Sequence, residues 1–245
     1  MSIKNQFEQI RDSTNPNKIN DFIITLTKEP QKEHLNFVDF FIEHFSEQLL
    51  NKIKINLVYL IGVLSHKVYL EDKYLKFLVK HYYTSDRWVR NEIIKAFKKI
   101  AEFQNLEEQF MDLISNSLKE EYVPIIINAL DSLWNCDALL QTHLKNILFV
   151  IDHESSQIST KAKALLKREV KSYTDLFQFL NEENSYKRLN KPQFRALLLT
   201  FFDSVFALEE FKTLIVASNW DLDEKNTYLR ELETFEKILL RKSTL

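Results

Sequence analysis

An acid where an apolar residue belongs is the first candidate for chemistry. Asp131 falls on the stripe that neighbouring segments fill with apolar side chains, three residues before Trp134. A carboxylate there must be hydrogen-bonded, ion-paired or shifted in pKa. Satisfaction by a backbone N–H or a lysine competes with catalysis, and is the simpler reading. The six histidines are His34, His44, His66, His81, His143 and His153. None forms the His-x3-His or His-Glu-x2-His spacing that places two metal ligands on one helix face. Each is expected on the surface or in a turn, and no metal or other cofactor is expected. Cys136, the single cysteine, cannot form an internal disulfide or a cysteine zinc site. No basic neighbour lowers its pKa, so it reads as inert. One glycine, Gly62, forbids a Gly-x-Ser-x-Gly elbow and every Gly-rich phosphate loop. These residues point to a non-enzymatic protein.

The same scarcity of turn residues limits the elements that position them. With one Gly and four Pro in 245 residues, sandwiches and barrels built on Gly-rich hairpins are excluded. Apolar residues make up 45% and charged residues 28%, enough for a core in an all-helical chain. The formal net charge of −2 carries no bulk signature of a nucleic-acid binder. No apolar run reaches the roughly 18 residues of a membrane span. The N-terminal residues lack the apolar core of a signal peptide, so the expected location is cytoplasmic, with no membrane partner.

An internal period organises the chain. From the anchor Asp86-Arg87-Trp88-Val89-Arg90, apolar residues recur at Val89, Ile93, Phe97 and Ile100, one face of a helix. The first of these slots is filled in turn by Ile19, Ile53, Val89, Val123, Ile158, Phe194 and Leu229, at separations of 34 to 36 residues. Four residues on stand Ile23, Leu57, Ile93, Ile127, Ala162, Leu198 and Glu233, six of them apolar. A partner helix precedes each, near 3–13, 34–49, 71–83, 105–118, 137–150, 174–181 and 207–217. Asn15-Pro16, Pro124 and Asn190-Lys191-Pro192 open second helices with N-cap or first-turn chemistry. Seven helical hairpins are therefore expected. One hairpin cannot bury its stripe alone, and stacking joins the stripes into a continuous core. Glu233 and Glu236 interrupt the last stripe, as in a polar cap, and 181–192 reads as a protruding loop. The register across that loop argues for a single domain, 1–245, with terminal repeats as caps.

This slot pattern resembles HEAT repeats, in which the turn carries Asp and Val-Arg opens the second helix. Asp86…Val89-Arg90 is the clearest match. Phe194-Arg195 and Leu229-Arg230 repeat the apolar-Arg pair, Ile53-Lys54 echoes it, and Val123-Pro124 and Ile158-Ser159 depart from it. The resemblance implies an all-α, right-handed α-solenoid of about seven antiparallel hairpins, with the second helices lining a concave groove. It implies no activity. DNA glycosylases with HEAT-like repeats use Trp residues and a catalytic Asp, but their Trp-Asp spacing is absent here. Trp220-Asp221-Leu222-Asp223 is the nearest string, and Asp131 with Trp134 runs in reverse order. The single pair His153-Glu154 falls short of the several that helical-repeat di-iron hydroxylases need.

By the 100° step, positions six and nine residues into each second helix face the groove. The binding residues expected in the groove are Tyr59, Lys95, Lys98 and Lys167 at those positions, with Asn128 and Lys163 one residue earlier in their helices. Gly62 falls in the same row. Close approach by a partner and lack of room beside the next helix both explain it. Segments 51–67, 87–102 and 157–171 hold thirteen Lys and Arg against three acids. That asymmetry makes an electropositive groove, although lysines also favour helix C-termini through the dipole. The partner expected is another protein with an acidic surface. A nucleic acid held by the same lysines is the alternative, and a glycosylase-like enzyme is a weaker one. Most phenylalanines lie on stripes and read as core, whereas Tyr82-Tyr83 and Tyr186 are candidates for exposed anchors. Oligomeric state is not encoded in these features.

Overall fold

Capping chemistry sets where the helices begin. In the computed structural model, which describes residues 2–243, Asp86 accepts hydrogen bonds from Trp88 N–H and Val89 N–H at 2.9 and 3.0 Å. Asn15 caps a helix with Pro16 in its first turn, and Ser46 accepts from Leu49 N–H. Asn190 and Gln193 form a reciprocal capping box. Every regular element among the described residues is helical. They divide into two compact units, Met1–Asp137 and Ala138–Leu245.

The first unit holds α1 (Ile3–Ile10), α2 (Pro16–Lys28), α3 (Leu35–His44), α4 (Glu47–Leu64), α5 (Asp72–Tyr83), α6 (Arg87–Ala101), α7 (Glu108–Asn116) and α8 (Val123–Trp134). Each odd helix packs on the even one after it. The even helices stack side by side in the order α2, α4, α6, α8. The core between the layers is mainly apolar. Ile19, Ile23, Ile53, Leu57, Ile93 and Phe97 are fully buried at stripe positions expected for the first three hairpins, whereas Val89, the first slot of the third, is half-buried. The second unit holds α9 (Gln141–Phe149), α10 (Ser156–Glu169), α11 (Tyr173–Asn181), α12 (Lys191–Phe201), α13 (Val205–Ala217) and α14 (Leu222–Ser243). There α9 packs on α10, α11 on α13, α13 on α14, and α10, α12 and α14 contact in sequence. The fourteen helices, packed pairwise in chain order, make the all-α helical-repeat architecture that the period predicts.

Polar ties join successive hairpins at equivalent places. The basic residue after the apolar slot reaches into the next repeat three times. Lys54 Nζ donates to Ser85 Oγ at 3.0 Å, and Arg90 Nη2 to Glu120 at 2.9 Å. Arg195 holds Glu231 through two bonds, at 2.6 and 3.2 Å. Asparagines on the even helices pair likewise. Asn56 donates to Asn20 Oδ1 at 2.8 Å, and Asn128 to Asn91 Oδ1 at 3.0 Å.

Four expectations are corrected. α3 ends at His44 rather than near 49, because Ser46 caps α4 early. In α8 the buried residues are Ile125, Ile126, Ala129, Leu130, Ser132 and Leu133, while Val123 is exposed and Ile127 half-buried, so the inward stripe is displaced from the expected slots. In α14 it runs through Tyr228, Leu232, Phe235 and Leu239, one residue ahead of the predicted slots, so Glu233 does not interrupt it. The polar segment 181–192 contains a 3-10 helix, Glu182–Arg188, rather than a protruding loop. Its Tyr186 is buried, with its ring stacked on Trp220 at 4.2 Å and its carbonyl accepting from Tyr228 Oη.

Candidate functional site

The outward side of the even layer in the first unit carries four of the six expected binding residues. Tyr59 is 42% exposed on α4. The ammonium of Lys99, on α6, lies 4.0 Å from the centre of its ring, a cation–π contact between neighbouring helices. Burial, opposed in part by Glu92, pushes the Lys99 amine below its ordinary range. Lys95 pairs with Glu92 on its own helix at 3.2 Å. Lys98 pairs with Asp131 on α8 at 2.8 Å. Asn128 is turned to Asn91 and to the Pro124 carbonyl, so it ties helices together. Lys163 and Lys167 belong to α10 of the second unit, where Lys167 is exposed and Lys163 half-buried. Neither makes an ion pair among the described residues.

Two anomalies of the sequence are resolved by these contacts. Asp131 is half-buried at the edge of α8, and Lys98 satisfies it, as the simpler reading required. Gly62 marks the place where α4 and α6 come closest. A Cβ built on it would lie 3.0 Å from Ala96 Cα and 3.1 Å from Ala96 Cβ. Lack of room beside the next helix therefore explains the glycine.

The histidines are placed differently from expectation. His34, His81 and His143 are buried. Nδ1 of His34 and of His143 faces a backbone N–H three residues earlier, of Gln31 and Leu140, at 3.3 and 3.1 Å. These rings close their own turns, a role the residue type alone does not signal. Among the described residues, no group of three or more His, Cys, Asp or Glu could hold a metal ion. No helix among them is long and apolar enough to cross a membrane.

A cleft that the slot reasoning did not single out lies where the α5–α6 turn meets the α7–α8 connection. It encloses about 580 Å³ and is lined by Arg87, Arg90, Asn116, Lys119, Glu121 and Tyr122, with Glu120 between them. A recess of about 230 Å³ adjoins it, sharing Arg90, Asn116 and Glu120 and adding Tyr82, Tyr83 and Leu113. Arg90 and Glu120 form its floor. One Glu120 oxygen accepts from Arg90 and the other from Tyr82 Oη, at 2.9 Å each. Burial, then the bond to Glu120, drives the Tyr82 hydroxyl well above its ordinary pKa, so it stays a donor. Tyr82 is thus core rather than an anchor, whereas Tyr83 is 71% exposed. The sequence signals for this cleft were Arg87-Trp88 in the anchor turn and the run Lys119–Tyr122. They become one site only through the 3-10 turn Ser117–Lys119.

No family model matches the chain, and no curated protein is found to be similar to it. Among solved structures, the crystal structure of an engineered protein is similar, with a TM-score of 0.57 at 11% identity. The likeness covers 96% of this chain and 98% of that one. At that identity it bears on the fold alone.

Proposed function

We propose that the chain is a HEAT-type helical-repeat scaffold, without catalytic activity of its own, that binds another protein. One observation carries this reading. The outward side of the first unit's even helices exposes Ile24, Ile55, Tyr59 and Trp134, while Lys95 and Lys98 beside them are neutralised by the chain's own Glu92 and Asp131. Apolar and aromatic side chains among internally satisfied charges suit a protein surface. A phosphate backbone calls for cations free to displace counterions. The pairing of Asp131 with Lys98 likewise weighs against its use as a glycosylase acid.

The nucleic-acid reading keeps one specific support, the exposed Lys167 and half-buried Lys163 on α10, which have no carboxylate partner among the described residues. The test is capture of partners from native extract by the full chain after nuclease treatment, followed by binding curves for what is captured. Joint Tyr59→Ala and Trp134→Ala substitution is expected to weaken binding at least tenfold, with a shallow dependence on salt. Retention by that variant, a steep salt dependence, and loss on changing Lys95, Lys98, Lys163 and Lys167 together to Gln would establish nucleic-acid binding instead.

A further inference from the structure

Arg87 is a charged group with no carboxylate partner among the described residues. It opens α6 and is exposed at the mouth of the cleft. Its guanidinium carbon lies 5.1 Å from the centre of the Trp88 ring and 5.4 Å from that of Tyr122. Those two rings meet edge to face at 5.6 Å, across the gap between the two connections. Two aromatic surfaces thus hold the planar fork, and no carboxylate among the described residues pairs with it. An arginine fixed in this way has already lost much of the freedom that a bidentate contact would cost it.

The rest of the cleft defines what fits. Lys119, the second such cation, is bonded among the described residues to the neutral Asn116 Oδ1, at 3.1 Å. Arg90 and Glu120 cancel each other. Glu121 on the lining opposes an anion, so the balance of Arg87 and Lys119 against it is one positive charge. Beside these charges stand exposed rings, Trp88 at 55% and Tyr83 at 71%, and the adjoining recess has an apolar wall at Leu113. A volume of 580 Å³ falls within the range of ligand pockets, roughly 300–1,000 Å³. The match is to an anion joined to an apolar group a few ångströms away.

We propose that this cleft receives a short acidic segment of a partner protein. An Asp or Glu carboxylate pairs with Arg87, Lys119 adds the second positive charge, and an apolar side chain beside that acid enters the recess at Tyr83 and Leu113. The proposal rests on the protein-binding reading and assigns it a second contact, away from Tyr59.

Selection of random dodecapeptides on the full-length chain tests it without presuming a sequence. The selected peptides are expected to carry Asp or Glu next to an apolar residue. Measured by fluorescence anisotropy, they should bind at least tenfold more weakly to Arg87→Gln. Arg87→Lys should recover only part of the loss, because a point charge does not replace the fork. Lys119→Gln should weaken binding severalfold. Arg87 makes no ion pair among the described residues, so an unchanged circular dichroism spectrum and melting temperature for Arg87→Gln separate lost binding from lost structure. The proposal is overturned if no acidic peptides are enriched, if the enriched peptides bind Arg87→Gln as well as the parent, or if phosphopeptides or single-stranded DNA occupy the cleft in preference. In the last case, loss of protein capture by the Tyr59 and Trp134 variant would leave the broader protein-binding reading standing.

Discussion

Buried ionisable groups give the clearest chemistry that the fold imposes on single side chains. His81 lies inside α5 against Phe77, and its Nδ1 has no hydrogen-bond partner among the described residues. Burial first, and then the charges of Lys54 and Lys80, push its pKa from the ordinary 6.5 down to about 4. The folded chain therefore holds His81 neutral where the unfolded chain would take up a proton. Stability from the neutral ring is fully present above pH 6.5 and is lost as pH falls through the window to about 4. At about 1.4 kcal/mol per pH unit, the loss is on the order of 3 kcal/mol. Urea unfolding at pH 7, 5.5 and 4 should show a clearly flatter decline for His81→Phe than for the parent. An identical slope in the two proteins would remove His81 from the acid response. Lys54 is the complementary case. Its ammonium is buried, burial lowers its pKa, and the bond to Ser85 Oγ compensates. Neither role is legible from residue type. A histidine and a lysine at helical spacing look like surface residues until the next hairpin covers them.

Between helices, the distance of approach decides which substitutions the fold accepts. Gly62→Ala improves helix propensity by roughly 1 kcal/mol. It also forces a methyl group to 3.0 Å from the Cα of Ala96, a backbone atom that cannot turn aside. Overpacking of that kind costs about 1–3 kcal/mol. A net loss of up to about 2 kcal/mol is expected, seen as a drop of a few degrees in melting temperature. A variant that melts higher than the parent would show that α4 and α6 can part freely. The helices themselves are readable because caps and stripes are local: Asn15, Asp86 and Asn190 cap α2, α6 and α12, and Pro124 lies in the first turn of α8, as the punctuation indicates. Register was readable only where the stripe is sparse. From Val123 to Ile127 every residue is apolar, so periodicity cannot choose among them, and packing buries Ile125 and Ile126. In α14, Tyr228 and Leu229 compete for one slot, and the bond from Tyr228 Oη to the Tyr186 carbonyl, 42 residues away, draws the tyrosine inward. The cleft at Arg87 stayed hidden for the same reason, since its walls come from connections about 30 residues apart.

Over the whole chain, a stack of hairpins distributes stability differently from a single central core. Each repeat is held mainly by its sequence neighbours, and even the polar tie from Tyr228 to the Tyr186 carbonyl, 42 residues apart, reaches only to the next hairpin. The division after Asp137 leaves no mark in the sequence, because no Gly or Pro flanks it and the period runs through it. Damage in such an array should remain local. Native-state hydrogen exchange on Gly62→Ala makes this measurable. Amides of α4 and α6 should exchange faster, by up to the thirtyfold or so that a loss of about 2 kcal/mol implies. Those of α12 and α14, around Phe194, Tyr228 and Leu232, should keep the parental rates. Equal acceleration in both regions would mean that the fourteen helices open as one cooperative body. The same comparison bears on binding. If local opening is confined to α4 and α6, a partner docked over Tyr59 should slow exchange there in the parent and restore part of the lost protection in Gly62→Ala, while leaving α14 unchanged.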